Sequence, residues 1–473
     1  MLETFKKVME SEELKGRILF TLVMVAVFRI GSFIPCPFVS VSNLRDSFAN
    51  NPLMSGAFGV ADMFTGGAFS KMTIMSLGIM PYISASIIFQ LLMIVWPRLE
   101  KMSKEGESGR KKINQWTRYG AVILGFVQGI GLGLFMHSNP EMITPFMLDH
   151  TTLFLLLTAT SIATGTTLLM WIGEKITERG IGNGISLLIA LGIIAAYLPH
   201  FREALAYIRL ESMTEMQLLI TLALSVAMIM MIVYVQEGER RIPIQHAKQA
   251  GGGRRVAVSQ SNYLPLKVNT AGVMPVIFAS AILTLPATVF GWIGAKNSGA
   301  GWFGELFSPV SRYNVYTMFD LQKGSIFLLL KAFNLYTLSF IVLTIFFCFF
   351  YTAIVFRPDD VADNLRKSSA FVPGYRPGKP TAEFIDKVMS RITLAGAVFL
   401  CMVAIVPQFL NHAFDIPYTV ANFAGGTGLI IVVSVVVDTM KQMQSRLLRK
   451  HYEGVKTRRS ASASKRWLKE SKV

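Results

Sequence analysis

Long apolar runs dominate this sequence and constrain its fold more than any other feature. A helix needs about 20 apolar residues to cross the roughly 30 Å hydrocarbon core of a bilayer. Backbone groups in lipid must be hydrogen-bonded within the chain, so such runs fold as membrane-spanning helices. We therefore predict an all-α polytopic membrane protein with ten transmembrane helices. The ten runs lie near residues 18–34, 74–96, 119–136, 152–172, 184–198, 216–235, 271–292, 332–356, 388–410 and 426–440.

Positive charge is divided unevenly between the two sides of the membrane that these spans define. Ten spans place both termini on one side, and the segments on that side carry 37 of the 46 Lys and Arg residues. The segments on the opposite side carry 7. Cytoplasmic loops are enriched in Lys and Arg, so we predict that both termini and the basic loops are cytoplasmic. The same bias explains most of the net charge of +17 without a nucleic-acid partner.

One segment between the first two spans does not fit a simple loop. Residues 57–73, AFGVADMFTGGAFSKMT, are apolar enough to enter the membrane, too short to cross it, and interrupted by Gly66 and Gly67. Re-entrant backbone is tolerated at membrane depth only where protein or a water-filled cavity covers it. The segment therefore indicates either a re-entrant element beside a cavity or an interfacial amphipathic helix.

Two cytoplasmic loops, about 236–267 and 357–387, are longer than membrane insertion requires and are rich in Arg, Gly and Pro. Long loops of this kind are usually functional. Residues 451–473 form a basic tail predicted to be cytoplasmic, and its stretch 457–472 is predicted to be disordered. Anionic membrane lipid and a specific protein partner both remain open as its target.

Groups that carry chemistry are scarce inside the predicted spans. All six histidines fall in loops or at span ends, and Asp438 lies near the end of the last span. The three cysteines are scattered singly, which matches neither a disulfide framework nor a metal site. We predict no catalytic residue, no metal and no cofactor. A secondary transporter of a small solute is the alternative function, although it would need paired charges or broken helices around its site.

Six strings, taken in order, closely resemble the SecY/Sec61-alpha family of protein-conducting channels, from about residue 5 to about 450. The strings are LGIMPYISASIIFQ (77–90), EGESGRKKINQWTRY (105–119), EKITERGIGNGIS (174–186), GERRI (238–242), LPLKVNTAGVMP (264–275) and ADNLRKSSAFVPGYRPG (362–378). The resemblance implies two inverted five-helix halves around a central pore, with a re-entrant plug helix and a lateral gate between spans two/three and seven/eight. The expected units are 1–200, 201–450 and the tail 451–473.

The resemblance also implies a pore ring of aliphatic side chains and a plug. A narrow apolar ring dewets and so resists ion leak without a polar gate. Two pairs of the ring residues are four positions apart, which places each pair on one helix face. The implied ring residues are Ile83, Ile87, Ile185, Ile189, Ile277 and Ile431. The implied plug residues are Asp62, Met63, Phe64, Gly66 and Gly67.

The family further implies that this chain conducts unfolded secretory polypeptides across the bacterial cytoplasmic membrane and releases hydrophobic segments laterally into lipid. Expected partners are SecE and SecG as subunits, the SecA motor ATPase, the ribosome, signal peptides and nascent chains, membrane lipids and an accessory insertase. Arg side chains suit phosphates and acidic protein surfaces. The arginines expected to dock the ribosome and SecA are Arg240, Arg241, Arg254, Arg255 and Arg357.

Overall fold

A computed structural model describes residues 12–41, 43–44, 59–246, 262–294, 335–414 and 416–447. This part of the chain is mostly helical, and each of the ten predicted runs coincides with a helix. The helices up to residue 209 are α1 (Glu12–Gly31), α2 (Gly59–Thr65), α3 (Met80–Val95), α4 (Pro97–Lys104), α5 (Glu107–His137), α6 (Pro145–Leu148), α7 (Thr151–Arg179) and α8 (Gly184–Arg209).

The remaining elements are further membrane spans and a small unit formed by the two long loops predicted to be cytoplasmic, which we call the cytoplasmic-loop unit. Their helices are α9 (Glu215–Glu237), α10 (Met274–Gly294), α11 (Leu335–Val355), α12 (Pro358–Lys367), α13 (Lys379–Phe414), α14 (Tyr418–Ala421) and α15 (Gly426–Leu447). Their strands are β1 (Glu239–His246), β2 (Asn262–Lys267) and β3 (Ala370–Phe371). Within the described residues, seven helices are individually long and apolar enough to cross a membrane, or eight if the bent pair α3 and α4 forms one span.

The second span starts later than its hydropathy predicts. The apolar run begins at residue 74, but the chain makes turns up to residue 79, and α3 starts at Met80. Gly78 adopts a positive φ of 56°, which ends any helix before it. Pro81 then fits the first turn of α3, where its missing N–H leaves no hydrogen bond unmade. After Trp96 the chain bends by 106° into α4, because the residue before Pro97 disfavours the helical conformation.

The predicted boundary between halves at residue 200 falls inside a helix. α8 continues through Pro199 to Arg209, and a short turn then leads to α9. A capping box starts α9: the Thr214 hydroxyl accepts from the Gln217 N–H at 3.4 Å, while the Gln217 side chain accepts from the Thr214 N–H at 2.8 Å. The helix therefore ends about ten residues after the predicted end of its apolar run at residue 198.

Small residues set the packing of the N-terminal helices. α5 packs closely along α7, with Gly125, Gly129 and Gly133 on the shared face. A Cβ placed on Gly129 would lie 2.9 Å from the Ala159 Cα, so only a glycine permits this approach. α3 and α5 also contact α10, which joins the two parts of the molecule along one side.

The two long cytoplasmic loops form one unit. The strands are ordered β2–β1–β3 and all pairs are antiparallel, with Glu239 opposite Lys267 and Gln245 opposite Phe371. A separate apolar core beneath the sheet joins it to the first turns of α13. That core consists of Ile242, Leu266, Val372, Ile385, Val388 and Met389. The sheet therefore links the loop at 236–267 to the loop at 357–387.

Candidate functional site

The predicted ring isoleucines come from four helices, α3, α8, α10 and α15. Five of the six side chains belong to one large contiguous apolar cluster and are buried. Ile185, which packs against the cluster that contains the other five, is half-buried. The five buried members are Ile83, Ile87, Ile189, Ile277 and Ile431. The cluster continues into the plug, because Met63 and Phe64 are buried in it as well.

Two cavities lie at opposite ends of this cluster. The plug-side cavity has a volume of about 730 Å³ and is lined partly by the plug residues and by the charged side chains Arg29, Lys71 and Arg202. The sheet-side cavity has a volume of about 530 Å³ and is lined by amide, hydroxyl and charged groups, including Asn269 and Lys441.

The apolar cluster separates these two cavities along individual helices. On α15, Thr427 lines the plug-side cavity and Val435 lines the sheet-side cavity, with Ile431 four residues from each. At 1.5 Å per residue, the distance from the isoleucine to either cavity-lining residue is about 6 Å along the helix. On α8, Ile189 likewise lies between Ser186 of the sheet-side cavity and Ala195 of the plug-side cavity. A thin apolar barrier therefore stands between two cavities that are each lined partly by polar groups.

The plug helix α2 lies against α8. At Gly192 the two backbones nearly touch, since a Cβ there would lie 2.6 Å from the Phe64 carbonyl oxygen. Met63 reaches α15, where a Cβ on Gly428 would lie 3.3 Å from its sulfur. Gly66 and Gly67 end the plug helix with φ values of 69° and 82°, a conformation that side chains with a Cβ rarely adopt. The plug thus fits against α8 and α15 because glycines occupy both sides of the contact.

The plug segment is tied down after its helix. The Asp62 carboxylate accepts a hydrogen bond from the Ser70 N–H at 2.7 Å, which closes the loop around the two glycines. Farther on, the Cys36 N–H donates to the Met72 carbonyl at 2.8 Å, and the Ile74 N–H donates to the Ile34 carbonyl at 3.0 Å. We call residues 34–36 and 72–74 the tether. Burial in the tether raises the pKa of the Cys36 thiol to about 12.

The described docking arginines lie on the cytoplasmic-loop unit. Arg240 and Arg241 are adjacent and exposed on β1, so strand alternation directs them to opposite faces instead of into one cluster. Arg241 is oriented by an ion pair with Glu239, whose Oε1 lies 2.8 Å from its Nε, and by the Tyr263 ring at 4.7 Å. Hydrogen bonding to Glu239 raises the pKa of Arg241. Arg357 is exposed at the start of α12, and residues 254 and 255 lie outside the described residues.

Sequence reasoning missed three groups that contact or line the plug. Gly192 and Gly428 accept the plug backbone and side chains, and nothing in a single sequence distinguishes them from other span glycines. Arg29 carried a usable signal, because a charge inside an apolar run is costly and usually functional. In the structure its Nη1 donates to the Gly66 carbonyl at 3.5 Å, across 37 residues of sequence.

Comparisons with known proteins agree with this arrangement. The SecY family model matches residues 73–440. The protein translocase subunit SecY of Escherichia coli strain K12 is 44% identical over 441 residues, covering 93% of each chain. A solved structure of a protein conducting channel aligns with a TM-score of 0.61 at 18% identity, covering 91% of this chain and 92% of that one. Sec61 in the canine ribosome–channel complex from the endoplasmic reticulum aligns at 0.57 and 18% identity, with coverage of 91% and 92%.

Proposed function

This chain belongs to the SecY family, and from that premise we propose that it forms the channel through which unfolded secretory polypeptides cross the bacterial cytoplasmic membrane. One observation carries the proposal: a thin apolar barrier, against which the plug packs, separates two cavities that are each lined partly by polar groups. The curated relatives are translocase subunits, so the secondary transporter is not retained as a function.

The ring isoleucines make this barrier suitable for a passing chain. Aliphatic side chains form no hydrogen bonds with a peptide, so they do not bind a polypeptide that moves between them. A narrow apolar constriction also dewets when it is empty, which blocks ions without a charged gate. Conduction then requires only that the plug leave and that the isoleucines yield around the chain.

Lateral release needs an opening towards lipid, and the proposed gate lies between α3/α5 and α10/α11. The contacts of α3 and α5 with α10 support a closed gate in this structure. A signal peptide or hydrophobic segment would enter between these helices, separate them and displace α2. The segment would then leave sideways while the hydrophilic chain continues through the ring.

The proposed partners follow from the same assignment. The chain itself is not proposed to be an enzyme; SecA, the ribosome and the proton-motive force supply the energy. Among the structural relatives is a ribosome-bound Sec61 channel, which supports the ribosome as a partner on the cytoplasmic-loop unit. SecE and SecG are the proposed subunits, and an accessory insertase is proposed for membrane proteins. The charge bias supports the proposal that both termini are cytoplasmic.

Site-specific crosslinking tests the proposed function. A photo-crosslinking residue is placed at Ile87 or Ile277, and at the matched control Ile123, which is 64% exposed on the lipid-facing side of α5. The chain is reconstituted with SecE and SecG in vesicles, and a secretory precursor is stalled midway with SecA and ATP.

We expect adducts with the stalled precursor at Ile87 and Ile277 and none at Ile123. Translocation without adducts at either ring position would show that the ring is wrongly assigned although the chain conducts. Failure of the unmodified complex to translocate any precursor would contradict the channel function itself, and flux of small solutes would then be measured.

A further inference from the structure

Arg29 is a permanent positive charge near the plug-side end of the apolar stretch of α1. The residue is half-buried and lines the plug-side cavity. Its guanidinium lies 5.6 Å from the centre of the ring of Phe33, which lies in the turn that follows α1. The same guanidinium donates to the Gly66 carbonyl at the end of the plug helix. Two of the groups that orient this charge therefore come from the turn after α1 and from the plug.

Lys71, from the plug segment, contacts the same aromatic ring. Its ammonium group lies 4.5 Å from the Phe33 ring centre, within the usual range of a cation–π interaction. Phe33 thus contacts one cation from α1 and one from the plug segment. Arg29 and Lys71 lie near the same ring although both are positive, because Arg29 also interacts with the Gly66 carbonyl and Lys71 with the Asp62 carboxylate.

The tether fixes how the plug can move. Residues 72–74 are hydrogen-bonded to residues 34–36 at both ends of a short antiparallel bridge. The helix Gly59–Thr65 lies on the other side of Gly66 and Gly67, whose backbone conformations are those of a glycine hinge. Displacement of the plug must therefore pivot about the tether, and the contacts of Gly66 with Arg29 and of Lys71 with Phe33 lie between the pivot and the moving helix.

From this geometry we propose that Arg29, Phe33 and Lys71 form a latch that holds the plug closed, in addition to the apolar packing of Met63 and Phe64. The inference rests on the proposed channel function and assigns positioning roles within it. When the plug pivots away, the Arg29 guanidinium loses the Gly66 carbonyl and Lys71 leaves the Phe33 ring. Both side chains then lose these favourable contacts, which form only while the plug is in place. The latch consequently favours the closed state. A signal sequence must therefore supply more free energy to open the channel than it would without the latch.

Three variants test the latch against one matched control. Arg29→Gln removes the charge, Phe33→Leu removes the ring while keeping an apolar side chain, and Arg29→Lys keeps a cation with different geometry. The control is Arg202→Gln, which removes the same charge from another residue lining the plug-side cavity. Each variant is reconstituted with SecE and SecG.

Two readouts are measured on the same vesicles. The first is halide leakage through idle complexes without SecA. The second is the ratio of translocation of a precursor with a defective signal sequence to that of its normal form. We expect Arg29→Gln and Phe33→Leu to raise both readouts about tenfold, Arg29→Lys to give an intermediate value, and Arg202→Gln to leave both unchanged. A tenfold change corresponds to about 1.4 kcal/mol.

Two results would overturn the latch. One is that both Arg29→Gln and Phe33→Leu behave like the unmodified channel while being present at equal levels in the membrane. The other is that Arg202→Gln raises leakage as much as Arg29→Gln does, which would indicate a general effect of cavity charge. If the unmodified complex translocates no precursor, the proposed function fails, and the leakage readout still decides whether these residues hold the plug.

Discussion

A single methyl group at Gly192 should weaken the contact between the plug and α8. The free-energy cost to the closed state can be worked out from the distances at this contact. The Cβ of Gly192→Ala would lie 2.6 Å from the Phe64 carbonyl oxygen and 3.3 Å from its carbonyl carbon. Ordinary contacts begin at 3.4 Å, so the plug backbone must retreat by about 0.8 Å. Both partners in the contact are backbone atoms of helices, which leaves no flexible side chain to absorb the shift.

The energetic cost falls on one state only. Overpacking of this kind costs about 1–3 kcal/mol, and it applies only while the plug lies on α8. The gain in helix propensity from Gly to Ala, about 0.5–1 kcal/mol, is the same whether the plug is in place or displaced. The closed state is therefore destabilised relative to the open state, which shifts the population of open channels by about 5-fold to 150-fold.

Halide leakage from vesicles that contain the idle complex measures this shift. The matched control is Gly16→Ala in α1, where a Cβ would meet no atom within 4 Å, so the substitution changes helix propensity without a clash. We expect leakage to rise for Gly192→Ala and to stay at the unmodified level for Gly16→Ala. Equal leakage of the two variants, at equal levels of folded protein, would refute the inference that backbone contact at Gly192 seats the plug.

Three further predictions follow from other contacts. Gly129→Leu should lower the melting temperature of the complex in circular dichroism, because a leucine side chain cannot fit between α5 and α7. An unchanged melting temperature would contradict the close approach of these two helices. The Cys36 thiol should resist maleimide below pH 9, since burial raises its pKa to about 12 and so favours the unreactive protonated form. Because the plug is expected to pivot about the tether, the thiol should stay protected when a stalled precursor displaces the plug, and fast alkylation in that state would contradict a fixed tether. Tyr263→Leu should weaken ribosome binding about threefold in a cosedimentation assay, because Arg241 loses the ring that orients it. Tyr263→Phe is the control that keeps the ring, and an equal loss of binding in both variants would exclude the ring as the orienting group.

The helices were predictable because lipid leaves the chain few alternatives. Hydropathy located a helix in each of the ten runs. The start of α3 was predicted too early because the positive φ of Gly78 and the position of Pro81 in the first turn set that start, and hydropathy does not register either. The apolar run predicted for α8 ends at residue 198 because polar and charged residues follow it, whereas the helix continues through Pro199 to Arg209.

The site was less accessible to sequence reasoning. An isoleucine in a membrane span gives no local sign of whether it faces lipid, a core or a pore, so the ring residues followed only from resemblance to a family. Contacts such as Arg29 with Gly66 join residues 37 positions apart, and no local pattern encodes such a pair. Only the unusual position of a charge within an apolar run indicated that Arg29 needed a partner.

The length of α13 gives the molecule a rigid lever. Its 36 residues extend about 54 Å, well beyond the roughly 30 Å of hydrocarbon. One end carries Ile385 and Met389 in the core beneath the sheet, and the other carries Pro407 at the plug-side cavity. There a Cβ on Gly426, the first residue of α15, would lie 3.1 Å from the Pro407 Cγ.

A protein that pushes on the sheet therefore acts on one arm of this lever. A tilt of about 5° displaces the far end of a 54 Å rod by about 5 Å, comparable to one helical turn. Distances between spin labels on α12 and near Gly426, measured with and without a bound ribosome, would detect such a tilt; unchanged distances would exclude it. Mechanical work done in the cytoplasm would in this way reach the opposite membrane surface without passing through the translocating chain.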